Sequence, residues 1–342
     1  MADLEKRLAE LTPERREALA KILRSRARAA TSTEGRRSST TSEMATAAEM
    51  AIAADTTSPE TYLKEDVLMD ASSIPIEAAA RKASWKQFYD TVSTQLNNNI
   101  FGQFSFFLNY GYVPNGQPEF SAASLPEHYV NKNSVKLVLE VIQDCPVSGK
   151  RALDVGCGRG GTIYVFKTFF KPSRLVGLDL SSAAIQFCRT AHKDPCVSFH
   201  EGDAEDLPFE DESFDIVTNL ESSHSYPHIH RFYSEVYRVL APGGHFLYTD
   251  ALSLQNMTSC IAYLQHIGFD LERDRDITDN VLLSCNEISQ TRIHAFDSRN
   301  DSQTIENFLA TPGSYVYEEM KTGRWTYRIL KFRKRKTVSQ PR

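Results

Sequence analysis

Apolar positions recur with two different periods along this 342-residue chain, and the change from one to the other divides it into parts. From about Lys150 onward, short apolar runs centred near Ala152, Leu175, Val197, Phe214 and His245 read as buried strands. Between them, over Ser182 to His192 and His230 to Leu240, apolar residues fall three and four apart, which predicts helices. Strand and helix in alternation imply a parallel sheet covered by helices on both faces. Met257 to Ile267 reads as a further helix ended by Gly268, and Arg324 to Phe332 as a late strand.

The pattern upstream is different. Over residues 1–30, Leu4, Leu8 and Leu11 share one helical face, and Thr12-Pro13 supplies a cap and first-turn proline for a second segment through Leu19, Ile22 and Leu23. Residues 31–62 are mostly Ser, Thr and Ala without a periodic apolar face, which cannot offset ordering entropy, and read as a flexible linker. Residues 63–149 bring helices around Ala78 to Asn97 and an aromatic stretch, Phe101-Gly-Gln-Phe-Ser-Phe-Phe-Leu-Asn-Tyr-Gly-Tyr112. The sheet domain occupies 150–334, and a basic tail 335–342 closes the chain.

Composition narrows the class. The chain is long enough to bury a full core, has no apolar run able to span a bilayer, and shows no charged-then-apolar leader at Met1. Its six cysteines are scattered without metal-ligand spacing, so reduced thiols, no metal and a cytoplasmic location are expected. A formal net charge of −5 gives no global attraction to nucleic acid.

Candidate chemistry begins at Arg151-Ala-Leu-Asp-Val-Gly-Cys-Gly-Arg-Gly-Gly161, a strand running into a glycine loop, and continues at Leu175-Val-Gly-Leu-Asp179, a strand ending in a carboxylate. Gly156, Gly158 and Gly161 satisfy G-x-G-x-x-G, so the loop alone admits a dinucleotide. Asp154 argues otherwise: a carboxylate two residues before the first glycine repels pyrophosphate and suits a cationic sulfonium. Asp179 admits two roles, ribose binding or a helix cap, and the cap is also open to Ser181.

Downstream lie Phe199-His-Glu-Gly-Asp-Ala-Glu-Asp-Leu-Pro-Phe209, Phe214-Asp-Ile-Val-Thr-Asn219 and Leu240-Ala-Pro-Gly-Gly-His-Phe-Leu-Tyr-Thr-Asp250. In this order and at these spacings the segments resemble the successive signatures of class I S-adenosylmethionine-dependent methyltransferases. The resemblance implies an α/β fold: a Rossmann-like, seven-stranded, mostly parallel sheet with a reversed last hairpin and helices on both faces. It implies S-adenosyl-L-methionine as cofactor and S-adenosyl-L-homocysteine as product. Asp154, Gly156, Cys157, Gly158 and Gly160 would hold it on one side, and Asp179 and Leu180 at the ribose. Gly202, Asp203 and Ala204 would meet the adenine, with Asn219 and Tyr110 nearby. Without a ligand, Asp203-Ala204 would be an ordinary surface turn.

Asn219-Leu-Glu-Ser-Ser-His-Ser-Tyr-Pro227 follows the fourth strand, at the edge where open α/β sheets place their chemistry. Methyl transfer needs an aligned acceptor, exclusion of water and removal of a proton, and histidine titrates in the right range for the last. In related small-molecule O-methyltransferases a histidine here is the general base and an acid ending the fifth strand orients it, which points to His224 and Asp250, with Glu221 as acceptor ligand or support. A purely structural His224 is the competing reading. Together with Pro312-Gly-Ser-Tyr-Val-Tyr317 and Gly323-Arg-Trp-Thr-Tyr-Arg328, the chain from roughly Ser84 to Lys334 resembles standalone methyltransferases of bacterial polyketide and peptide natural-product pathways and phthiotriolone-type lipid methyltransferases.

That family implies a hydroxyl on a hydrophobic metabolite, free or bound to a carrier protein. Phe104, Phe107 and Tyr112 in the aromatic stretch would form a lid over it or a packed helix, with Tyr226, Tyr315 and Trp325 adding to the acceptor pocket. Residues 1–30 weakly resemble helical segments of modular synthases, which suggests docking to a polyketide or peptide synthase; a solvated amphipathic helix is the alternative. Two other functions stay open: methylation of carbon in an isoprenoid or sterol-like substrate, and an adaptor with a vestigial methyltransferase domain.

Overall fold

A computed structural model of the chain describes residues 76–98, 105–116, 125–126, 129–293 and 302–336. The segment 1–30, the linker 31–62, the first part of the 63–149 region, Phe101, Phe104 and most of the 335–342 tail lie outside the described residues. In chain order the elements are α1 (Ile76–Asn98), α2 (Lys132–Ile142), β1 (Arg151–Val155), α3 (Gly161–Phe169), β2 (Arg174–Asp179), α4 (Ser182–Ala191), β3 (Val197–Glu201) and β4 (Phe214–Leu220). There follow a 3-10 turn (Ser223–Ser225), α5 (Ile229–Val239), β5 (Leu240–Ser253), α6 (Leu254–His266), β6 (Phe269–Asp276), α7 (Thr278–Ile293), α8 (Ser302–Phe308), α9 (Tyr315–Lys321) and β7 (Trp325–Lys334).

The seven strands form one sheet in the order β3-β2-β1-β4-β5-β7-β6. Strands β1 to β5 run parallel, and β7 inserts antiparallel between β5 and β6, the reversed hairpin expected of the Rossmann-like methyltransferase sheet. Successive residues on a strand point to opposite faces, so a sheet buried on both sides needs apolar residues at both parities. The chain supplies them. Ala152, Leu175, Ile216, Leu247 and Ile329 join one core with α2, α3 and α4, while Leu153, Val176, Val217, Phe246 and Leu330 join the other with α5 and α6. Edge strand β6 instead alternates, exposing Asp270, Glu272, Asp274 and Asp276, which discourages pairing with a further strand.

Chain order reverses at β1. The chain builds outward through β2 and β3, then returns to lay β4 on the other side of β1, leaving a crevice at the carboxyl ends of β1 and β4. Helix α1 and the segment 105–116 border it. That segment is irregular in the structure rather than a packed aromatic helix. Its backbone is bound elsewhere: Tyr112 N–H donates to Asn133 O at 2.9 Å and Val113 N–H to Asn280 O at 3.2 Å. Gly111 sits at φ +82 with Ser284 Oγ and Asn133 Cβ 2.6 and 2.9 Å from where a Cβ would stand, so no other residue fits this turn.

Helix α6 starts three residues earlier than the periodicity suggests, because Ser253 Oγ accepts the Asn256 N–H and caps it. Among the described residues no helix is long and apolar enough to cross a membrane. Phe332 is fully buried, with Phe246 and Phe269 ring centroids 6.3 and 6.0 Å away. Phe332→Ala is expected to lower the unfolding free energy by about 3–5 kcal/mol, read as a reduced midpoint in urea.

Candidate active site

The crevice is lined by the loops that follow β1, β2, β3 and β4 and is roofed by α1 and residues 106–110. After β1 the chain turns through Gly156 at φ +69, where a Cβ would lie 2.6 Å from Ser222 Cβ and 2.7 Å from the Tyr226 hydroxyl. The backbone here is bare because nothing larger fits. Asp179, ending β2, fastens the turn: its Oδ2 accepts the Gly158 N–H at 2.7 Å and its Oδ1 the Ser181 N–H at 2.8 Å. Burial raises the Asp179 pKa and these backbone bonds oppose the rise. Ser181 itself caps α4, accepting the Ala184 N–H at 3.1 Å.

Arg159 of the same loop is fully buried at the crevice wall. Its guanidinium donates to Ser105 O at 2.7 Å, Asn97 Oδ1 at 2.8 Å and Ser93 O at 3.3 Å, and lies 3.6 Å over the Phe187 ring. Desolvation pulls its pKa down to about 10, still charged at neutral pH. The arginine thereby ties α1 and the 105 segment to the glycine turn. On the β3 side, Asp203 Oδ1 accepts the Glu205 N–H at 2.9 Å, and Lys82 of α1 sits 2.5 Å from both Asp203 Oδ2 and Glu205 Oε2.

The chain leaves β4 through Glu221 at φ +49, and this kink turns its carboxylate toward the roof. Tyr110 N–H donates to Glu221 Oε1 at 2.8 Å, and the Tyr327 hydroxyl of β7 donates to the same oxygen. In the 3-10 turn, His224 Nδ1 lies 2.8 Å from Asp250 Oδ1. Because a carboxylate only accepts, the proton of a neutral imidazole is on Nδ1. Asp250, wholly buried in β5, also accepts from Ser223 Oγ at 2.6 Å, His224 N–H at 3.1 Å and Ala251 N–H at 2.9 Å. The Trp85 ring stands edge-on to His224 at 6.2 Å. Tyr89 lies beside it, its phenol pushed well up by burial and by the charges of Asp179, Asp250 and Glu221.

Gly156, Cys157, Gly158, Asp179, Leu180, Gly202, Asp203, Ala204, Tyr110, Phe107, Tyr226, Glu221 and His224 all face this one crevice, about 1190 Å3 including its mouth. Asp154, Gly160, Asn219 and Asp250 stand behind the wall. Asp154 Oδ1 accepts from Thr218 Oγ1 at 2.6 Å, and Asn219 Nδ2 donates to Val155 O and Ser222 Oγ at 3.0 and 2.7 Å. Tyr112 is drawn into the core, where its hydroxyl accepts from Arg275 at 2.7 Å. Tyr315 and Trp325 pack against each other outside the crevice. Sequence reasoning missed Lys82, Trp85, Tyr89, Phe308 and the Tyr327 partner of Glu221. The first three are spaced i, i+3 and i+7 on α1, a helical stripe that could have marked a wall.

A family profile described as "Methyltransferase domain" matches residues 153–248. The chain is 35% identical over 228 residues to a fatty-acid O-methyltransferase of Mycolicibacterium smegmatis, covering 66% of this chain and 82% of the relative. It is 31% identical over 256 residues to the phthiotriol/phenolphthiotriol dimycocerosates methyltransferase of Mycobacterium tuberculosis, covering 74% and 93%. The cyclase SpnF superposes with a TM-score of 0.58 at 22% identity, covering 75% of this chain and 96% of that one. A geranyl diphosphate C-methyltransferase of Streptomyces coelicolor does so at 0.52 and 17%, covering 72% and 98%. The two structures share the fold, and their names carry different reactions, so the fold alone does not choose the chemistry.

The chain therefore belongs to the class I S-adenosylmethionine-dependent methyltransferases. It is an enzyme of that class, similar to methyltransferases named for lipid acceptors, and S-adenosylmethionine is its methyl donor. The crevice fits this cofactor: bare backbone at Gly156 permits close approach, and acid-rich walls favour a sulfonium over pyrophosphate.

Gly156→Ala is expected to abolish measurable S-adenosylhomocysteine binding in calorimetry while the far-ultraviolet dichroism persists, because the added methyl collides with Ser222 and Tyr226 and strains a positive φ. Burial lifts the Asp154 pKa from its ordinary 3.8 to about 7, against hydrogen bonds from Thr218 and Thr162. Between those values the folded chain keeps a proton that the unfolded chain has lost, so Asp154 lowers stability as pH rises through that window and no further above it. Asp154→Asn should flatten that part of the stability profile in urea titrations from pH 4 to 8.

Proposed function

We propose that the protein transfers the methyl group of S-adenosylmethionine to a hydroxyl of a hydrophobic secondary metabolite, a polyketide or a peptide-polyketide hybrid, with His224 as general base. The observation that carries this reading is the His224–Asp250 pair, whose imidazole lines the same crevice as Trp85, Tyr89 and Phe308. The cofactor, when bound, supplies an electrophilic methyl on sulfur. Gly156, Cys157 and Gly158 would line its amino-acid end together with Tyr110, Asp179 and Leu180 would take the ribose, and Gly202, Asp203 and Ala204 the adenine. Asp154, Gly160 and Asn219 support that wall from behind.

The dyad has the chemistry the transfer requires. With Nδ1–H held by Asp250, the imidazole would accept the acceptor hydroxyl's proton at Nε2, and Asp250 would stabilise the imidazolium that results; the bound cofactor would give up its methyl with its carbon–sulfur bond breaking and leave as the neutral thioether S-adenosylhomocysteine. Trp85 and Tyr89 exclude water from the reacting atoms. Glu221, fixed by Tyr110 and Tyr327, borders the acceptor side.

Charge favours a neutral acceptor. Among the described residues, the lining cations Lys82 and Arg159 are engaged by carboxylates and by backbone and amide oxygens, while Glu221 would repel an acceptor carboxylate. The relatives' names, a fatty acid in one case and phthiotriol dimycocerosates in the other, support an apolar acceptor body. Docking to a synthase would fall to residues 1–30, outside the described residues.

His224→Ala is expected to reduce kcat by about 10²–10⁴ with cofactor affinity retained. Incubation of a metabolite extract with methyl-labelled S-adenosylmethionine, followed by mass spectrometry, should place the label on oxygen of a hydrophobic product. Label on carbon, with His224→Ala losing little activity, would establish the carbon-methylating alternative, in which Trp85, Tyr89 and Glu221 stabilise a developing cation.

A further inference from the structure

Helix α1 is attached unlike the other helices around the crevice. Its apolar residues Phe88, Val92 and Leu96 form a cluster of their own with Trp85, Tyr89, Leu108 and Phe308, separate from both sheet cores. Its other attachments are polar and fall on the loops that close the cofactor side. Lys86 donates to Leu180 O at 2.8 Å, and Asp90 accepts from Ser181 Oγ at 2.6 Å. A helix docked through a cluster of its own can open while both sheet cores stay intact.

Lys82 is the most enclosed of these contacts. Its ammonium lies 2.5 Å from Asp203 and 2.5 Å from Glu205, and the Glu205 side chain is 3% exposed. Glu205 reaches on through Oε1 to the His228 N–H at 2.6 Å, at the start of α5. One cation thus joins α1, the loop after β3 and the segment that carries His224. Burial alone would lower the lysine pKa, but the two carboxylates outweigh it and raise it, so the latch stays charged through neutral pH. Two residues apart, Asp203 and Glu205 would repel each other without that charge between them.

We propose that Lys82 is a cofactor-retention residue, a positioning residue whose ion pairs with Asp203 and Glu205 hold α1 shut across the adenosine end of the crevice. Opening of α1 at this latch then sets the rate at which the nucleoside leaves. Trp85 and Tyr89, one and two turns along the same stripe, move with it, so release of cofactor also uncovers His224. The inference rests on the cofactor class and not on the identity of the acceptor.

The test is stopped-flow dissociation of S-adenosylhomocysteine from the full chain, together with amide hydrogen exchange of residues 78–97 in the complex. Lys82→Met should release the ligand at least tenfold faster, with exchange in α1 rising in proportion, and Lys82→Arg should restore both. If Lys82→Met does not fold because Glu205 is left buried without a partner, the double variant Lys82→Met with Glu205→Gln removes that charge and carries the same expectation. Unchanged dissociation in a folded variant overturns the proposal. So does faster dissociation with α1 exchange unchanged, which would mark Lys82 as an ordinary contact rather than a latch.

Discussion

Carboxylates crowd the carboxyl edge of this sheet, and the arrangement of nearly everything around the crevice answers the need to offset their charge. Asp154, Asp179, Asp203, Glu221 and Asp250 come from five successive strand ends or the loops that follow them. Burying a carboxylate without donors is costly, so each is surrounded by them. Asp179 takes backbone N–H groups of the glycine turn and of the α4 entry, Asp250 takes four donors from the 3-10 turn and its own strand, and Glu221 takes a backbone N–H and a phenol. Where burial dominates, as at Asp154, the carboxyl holds its proton up to about pH 7. Of the five, Asp179, Asp203 and Glu221 face the crevice, and a wall with these acids is matched to a cationic cofactor rather than to a dinucleotide pyrophosphate.

The same constraint accounts for the roof. Lys82 and Lys86 of α1 are cations brought over an acidic edge, and Tyr110 is fixed where its backbone N–H answers Glu221. Arg159 works from below, spending its donors on carbonyls and an amide of the roof instead of on a carboxylate. The walls so assembled place aromatic rings beside His224. Electrostatic closure and the aromatic surroundings of His224 are therefore products of one set of contacts.

What was legible in the sequence was local. The parallel sheet follows from strand and helix periods, and the glycine turn and the acid ending β2 can be read from spacing because each depends on residues adjacent in the chain. His224 and Asp250 were legible as a pair only through the family pattern, since 26 positions separate them and nothing in either segment requires them to meet. The aromatic stretch illustrates the limit. Its composition promised a lid or a helix, yet Phe107 and Tyr110 face the crevice while Tyr112 is taken by Arg275.

By itself, then, the sequence determined the alternation of strands and helices and the glycine turn, because burial parity and turn glycines act within a few residues of chain, and its resemblance to a family supplied the strand order and the cofactor class. Tertiary structure alone decided which polar groups are paired. Lys82 with Asp203 and Glu205, Tyr327 with Glu221 and Arg159 with the roof join residues from 54 to 123 positions apart. Such partners are chosen by how loops and helices converge over the sheet edge, where low dielectric makes each charge select the nearest complementary group, and periodicity carries no record of that choice.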